Sequence, residues 1–76
     1  MELNEFVAHF AEQFEETEKE VFTPETKFRE LAEWSSILAL SIIAMVDEEY
    51  DVTLKGADVK AANTIAELFE IVKAKQ

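Results

Sequence analysis

Two adjacent hydroxyls, Ser35 and Ser36, are the residues in this chain best placed to do chemistry. They stand directly before a run of mostly apolar residues that reads as a helix. There Ser35 is placed to accept from a free backbone N–H as an N-cap. Ser36 would then begin the helix with its hydroxyl beyond the core. The neighbouring N–H groups and the positive end of the helix dipole tolerate a phosphodiester at that point. Spacing alone leaves a second use open, in which both serines are only caps.

Other constellations fail. The 76 residues contain one histidine, His9, and no cysteine, which excludes disulfides and thiolate metal sites. His9 has no second histidine for a ligand set and reads as a surface or edge residue. Neither serine has an evident His/Asp partner set, and there is no glycine-rich phosphate loop. Residues 47–58 have the length of a calcium loop, but Glu49, Asp51 and a later glutamate do not combine with a glycine at the required position. No metal site and no catalytic set is expected, and the chain does not read as an enzyme.

The positioning elements are helical. One glycine and one proline leave little for hairpin turns, and Ala, Leu, Glu and Lys are plentiful. Leu3, Phe6, Val7, Phe10 and Phe14 fall at helical spacing, with Glu2, Glu5, Glu12, Glu15 and Glu16 largely opposite. This predicts an amphipathic helix over residues 3–16. A long connection over 17–35 follows, with a turn or a short helical start at Thr23-Pro24-Glu25 and apolar anchors at Val21, Phe22, Phe28, Leu31 and Trp34. Loops of this length are often functional.

The second helix is expected over 36–50. Its core face carries Ala39, Ile42, Ile43, Val46 and Tyr50, with Leu38 at the edge. The opposite face carries Ser36, Ile37, Leu40, Ser41, Ala44, Asp47 and Glu48. A helix apolar nearly all round is either central in the bundle or has a docking face. Val52-Thr53-Leu54 reads as an extended loop and residues 57–62 as one or two helical turns. Thr64 with Glu67 has the form of a capping box opening a last helix, with Ile65, Leu68, Phe69 and Val72 inward and Lys73 and Lys75 at its negative end. The predicted architecture is all-α in one domain, residues 1–76: three longer helices, one short helix, and a long loop between the first two.

Net charge is −10, and ten acids against three bases fall in residues 1–33. This repels nucleic acid and anionic membrane and favours basic partner surfaces. The longest uncharged stretch, residues 34–46, is too short to span a bilayer. The N-terminus lacks the basic region and apolar run of a signal peptide. A soluble, cytoplasmic monomer without membrane insertion is expected.

The order of these elements resembles the acyl carrier protein family. In that family a Phe-x-x-Leu or similar run leads to Asp-Ser-Leu and then an apolar helix ending in acids and an aromatic. The matching positions are Phe28 and Leu31, then Ser35-Ser36-Ile37, then Asp47-Glu48-Glu49-Tyr50. The residues from Val52 to Ile65 look like the family's third-helix region and last-helix start, so the similarity runs from about residue 22 to the C-terminus.

The resemblance implies a bundle of the family's type and a covalent 4′-phosphopantetheine on Ser36. It implies a carrier of acyl groups as thioesters, in fatty-acid synthesis or a specialised pathway. Partners would be a phosphopantetheinyl transferase and acyl-loading and acyl-processing enzymes, docking on Ile37, Leu40, Ala44, Asp47 and Glu48. The alternatives are an aminoacyl- or peptidyl-type carrier, and an unmodified acidic adaptor using the same face. Ala61 and Ala62 put small side chains where carriers of this family can shelter an acyl chain.

Two departures stand out. Ser35 replaces the family's Asp; it keeps the capping role but cannot supply that negative charge to a transferase. The usual Gly of the approach is replaced within Ala32-Glu33-Trp34. Leu38 and Ser41 also stand where acids are common. Partner binding is therefore expected to lean on apolar contact and to depend weakly on salt. Titration against a transferase at low and moderate ionic strength checks this; a steep loss of affinity contradicts it.

Overall fold

The computed structural model describes residues 2–76 and is all-helical over them, in the expected order. Four α-helices are present: α1 (Leu3–Ala11), α2 (Ser36–Tyr50), α3 (Gly56–Ala61) and α4 (Ile65–Lys75). The connection from α1 to α2 contains two 3-10 turns, Lys19–Val21 and Phe28–Glu30, which the pattern of residues had not indicated. α1 packs on α2 and α4, and α3 packs on α4.

Local sequence accounts for most of the helix ends. Ser35 is extended and caps α2 through Leu38 N, with Oγ accepting at 3.3 Å. α2 ends at Asp51, which sits in the left-handed region at φ 56° and donates its N–H to Asp47 O at 3.0 Å. A short polar side chain is among the few non-glycine types that adopt this conformation readily. The capping box of α4 forms: Thr64 Oγ1 accepts from Glu67 N at 3.2 Å, while Glu67 Oε1 accepts from Thr64 N at 3.3 Å and Asn63 N at 2.7 Å. At α3, Asp58 Oδ2 accepts from Lys55 N at 2.9 Å, and Lys75 Nζ reaches the same oxygen at 3.5 Å.

The core is apolar throughout and is drawn from every helix. Phe6, Phe10, Phe28, Ile42, Val46, Ile65, Leu68 and Val72 are its largest fully buried side chains. Each such burial is worth about 1.5–3 kcal/mol relative to exposure. Val52 and Leu54 are buried on either side of exposed Thr53, the alternation of an extended segment that pairs with nothing in the described residues. α4 buries the four residues expected of it.

Three readings need correction. α1 stops at Ala11 rather than near residue 16, because Gln13 N and Phe14 N turn back to Phe10 O (3.2 Å) and Ala11 O (3.1 Å), and the next amides bond elsewhere. Phe14 nevertheless remains buried. Val21 is not an anchor: it is 44% exposed, and only Phe22 beside it enters the core. On α2, Leu38 and Met45 are buried with Ile42 and Val46, while Ala39, Ile43 and Tyr50 are only half-buried. The core face is thus rotated toward Leu38 and Met45, leaving Ala39 at its margin.

Tyr50 closes α2 against α1, its ring 5.7 Å from Phe6 and 5.9 Å from the half-buried His9. The Tyr50 hydroxyl is buried and has no hydrogen-bond partner among the described residues. Burial, then the charges of Glu5 and Glu49, push its pKa upward. An orphaned hydroxyl costs free energy that a ring without it does not. Tyr50→Phe is expected to leave stability unchanged or raise it by about 1 kcal/mol in urea unfolding. A loss of that size contradicts this reading.

Candidate functional site

The candidate site is the start of α2, and the long loop fixes where that start lies. Six aromatic contacts run from α1 through the loop: Phe10 to Phe14 (5.7 Å), Phe22 (6.3 Å) and Phe28 (5.2 Å), Phe14 to Phe22 (4.8 Å) and Trp34 (6.3 Å), and Phe28 to Trp34 (5.1 Å). Trp34, one residue before the cap, is therefore held by stacked and edge-on rings.

Polar staples supplement the rings. Glu33 accepts backbone N–H bonds from Glu15 at 2.9 Å, Glu16 at 3.1 Å and Thr17 at 2.9 Å, and a hydroxyl bond from Thr17 Oγ1 at 2.7 Å. Successive N–H groups converging on one carboxylate form an anion-binding concavity. Beyond the turn at Gln13 and Phe14 that ends α1, the amides of residues 15–17 serve Glu33 instead of continuing the helix. Farther along the loop, Pro24 O and Thr26 O accept from Ala66 N at 2.9 Å and Ile65 N at 3.2 Å, two first-turn donors of α4. Arg29 donates to Ala62 O through Nε (3.3 Å) and Nη2 (3.1 Å), and to Asn63 Oδ1 at 2.8 Å. Glu33 and Arg29 were singled out by no local pattern, since their partners lie 16–18 and 33–34 residues away.

These supports leave Ser36 as the first residue of α2, exposed, with no hydrogen bond to its hydroxyl among the described residues. Ser35 is committed to the cap, so the two hydroxyls are in different states. The first turn of α2 contains no acid. Behind Ser36, toward α3, lies a groove of about 440 Å³ walled by Trp34, Ala39 and Val59 and edged by Arg29 and Lys60. On the other side of Ser35 a second groove of about 270 Å³ is lined by Glu15, Glu33, Ile37 and Ser41, among others. A free hydroxyl, an uncharged helix start and an adjoining groove with basic edges fit a covalent phosphodiester carrying a slender organic chain.

Ile37, Leu40, Ala44, Asp47 and Glu48 are all exposed and lie within about 120° around α2. Ile37 is 74% and Leu40 66% exposed. Of the two alanines, Ala62 is fully buried and Ala61 is exposed on α3, and neither lines the groove beside Ser36. No group of three or more potential metal ligands occurs among the described residues, and no described helix is long and apolar enough to cross a membrane.

The fold is an all-helical bundle with an exposed serine at the start of its second helix. The chain belongs to the phosphopantetheine attachment site family, which matches it over residues 4–72. It is a phosphopantetheine carrier, and 4′-phosphopantetheine is the group that this domain takes covalently. No curated protein and no solved structure matches the chain.

The Glu33 staple titrates. The Thr17 hydroxyl is the largest influence and holds its pKa below the ordinary 4.5; burial opposes it, and the backbone N–H groups of residues 15–17 add to the lowering. A carboxylate lowered on folding contributes stability above its unfolded value, and that stability is lost as pH falls through the folded value. The amides of Glu15, Glu16 and Thr17 should therefore keep their shifts down to pH 4.5 and titrate together below it. Glu33→Ala should abolish that transition and speed hydrogen exchange at these amides. A common midpoint at or above 4.5 contradicts the assignment.

Proposed function

We propose that residues 1–76 act as one acyl carrier domain, with Ser36 as its attachment residue. The observation supporting Ser36 is the division between the serines: Ser35 Oγ is hydrogen-bonded to Leu38 N, whereas Ser36 is exposed with its hydroxyl free. In the modification, Ser36 Oγ forms the bond to phosphorus and loses its proton. The donor's departing phosphate takes the electron pair of the broken P–O bond. Once in place, the group supplies a terminal thiol on which an acyl chain is held as a thioester. The protein's part is to hold Ser36 outward and to keep acids out of the first turn.

Ile37, Leu40, Ala44, Asp47 and Glu48 form the docking face in this reading. Two large exposed apolar side chains beside the attachment residue serve no packing role, and Asp47 and Glu48 add charge for basic partners. A phosphopantetheinyl transferase and the enzymes that load and process the acyl group would share this face in turn. An aminoacyl or peptidyl cargo would use the same serine and the same fold.

Intact mass after treatment with a promiscuous transferase and coenzyme A checks the attachment. One phosphopantetheine is expected on the natural chain and on Ser35→Ala, and none on Ser36→Ala. Ser35→Ala should also cost about 1 kcal/mol through loss of the cap. An adduct that survives Ser36→Ala contradicts the proposal.

A further inference from the structure

The two grooves at the start of α2 carry opposite charge. The groove toward α3 includes Ser36 and is edged by Arg29 and Lys60, with no carboxylate among its lining residues. The other contains Glu15 and Glu33, includes no cation, and does not include Ser36. The chain as a whole carries −10, yet the groove beside the serine has two cations and no acid among its lining residues.

The two cations differ in state. Arg29 is pre-organised, because Nε and Nη2 are fixed on Ala62 O and Asn63 Oδ1, which leaves Nη1 unengaged. It makes no ion pair among the described residues, although Glu30 lines a neighbouring hollow with it. Lys60, exposed on α3, likewise has no ion-pair partner among the described residues. A fixed guanidinium and an exposed ammonium on the same groove as the serine suit a singly charged phosphodiester. Beyond them, Trp34, Ala39 and Val59 offer an apolar wall to the methyl-bearing part of the arm.

We infer that Arg29 and Lys60 bind the phosphodiester of the Ser36-linked group and turn its arm into the groove toward α3, against Trp34 and Val59. This rests on the proposal that Ser36 is the attachment residue. Its consequence is positional: Ile37 and Leu40 stay uncovered for a partner while the arm lies on the opposite side of the helix start. Glu15 and Glu33 repel the phosphodiester from the second groove and so reinforce the choice.

The test is NMR on the modified protein, after mass spectrometry has placed phosphopantetheine on Ser36. Nuclear Overhauser contacts are expected from the geminal methyl protons of the arm to the Trp34 indole and the Val59 methyls. In Lys60→Glu, an exposed change that breaks no hydrogen bond, they should weaken severalfold. They should also weaken in Arg29→Gln, with circular dichroism confirming that both variants are folded. An adduct on Ser36 whose methyls contact Ile37 or Ser41, or no side chain, overturns the groove assignment while leaving the attachment intact. Contacts equally strong in the natural protein and in Lys60→Glu overturn the role of the cations. No adduct on Ser36 removes both.

Discussion

The contact between Phe10 and Phe28, 5.2 Å between ring centroids, ties the first helix to the middle of a loop whose only regular elements among the described residues are two 3-10 turns. Phe28 in turn meets Trp34 at 5.1 Å, and Trp34 immediately precedes the cap of α2. The start of α2 takes its position from this chain of rings together with the polar bonds of Glu33 and Arg29. Ordering some two dozen loop residues costs about 1–2 kcal/mol of backbone entropy each. Hydrogen bonds to water would not offset that, so the loop must bury side chains. Phe22 and Phe28 do so fully enough to join the core, with Trp34 and Leu31 packed against it.

Electrostatics then refines what the rings position. A chain with 17 acids and 7 bases has few cations to spend, and the structure commits them unevenly. Lys75 pairs with Asp58, and Lys73 lies over the Phe69 ring at 5.6 Å, both on α4. Arg29 bridges the loop and the α3–α4 joint, where it also edges the groove beside Ser36. Of the acids, Glu33 is turned inward onto the backbone of residues 15–17 instead of toward the serine. The result is an acidic protein whose helix start at Ser36 is not acidic.

How much of this was legible in the sequence follows from the range of the interactions involved. Ser35 as N-cap, the Thr64–Glu67 box and the inward stripe of α4 depend on residues within four positions of one another, and all three appear as read. The chain past α1 is drawn away at residues 15–17 by Glu33, 16–18 positions on, whereas periodicity alone carries the stripe to Phe14. Val21 is apolar and adjacent to Phe22, but Val21 ends a 3-10 turn and is exposed, whereas Phe22 just after it is buried. Met45 was missed because α2 is apolar nearly all round, so the burial of its sides is decided by neighbours. The free state of Ser36 was legible only as one of two options, and the cap geometry separates them.

The central claim is that Ser35 builds the helix start and Ser36 uses it. Mass spectrometry with backbone fragmentation between these two residues tests it most directly on the modified natural chain. Fragments should divide so that all the added mass lies on the C-terminal side of the Ser35–Ser36 bond and on Ser36 itself. Added mass on Ser35, or on Ser41 within the helix, would contradict the account.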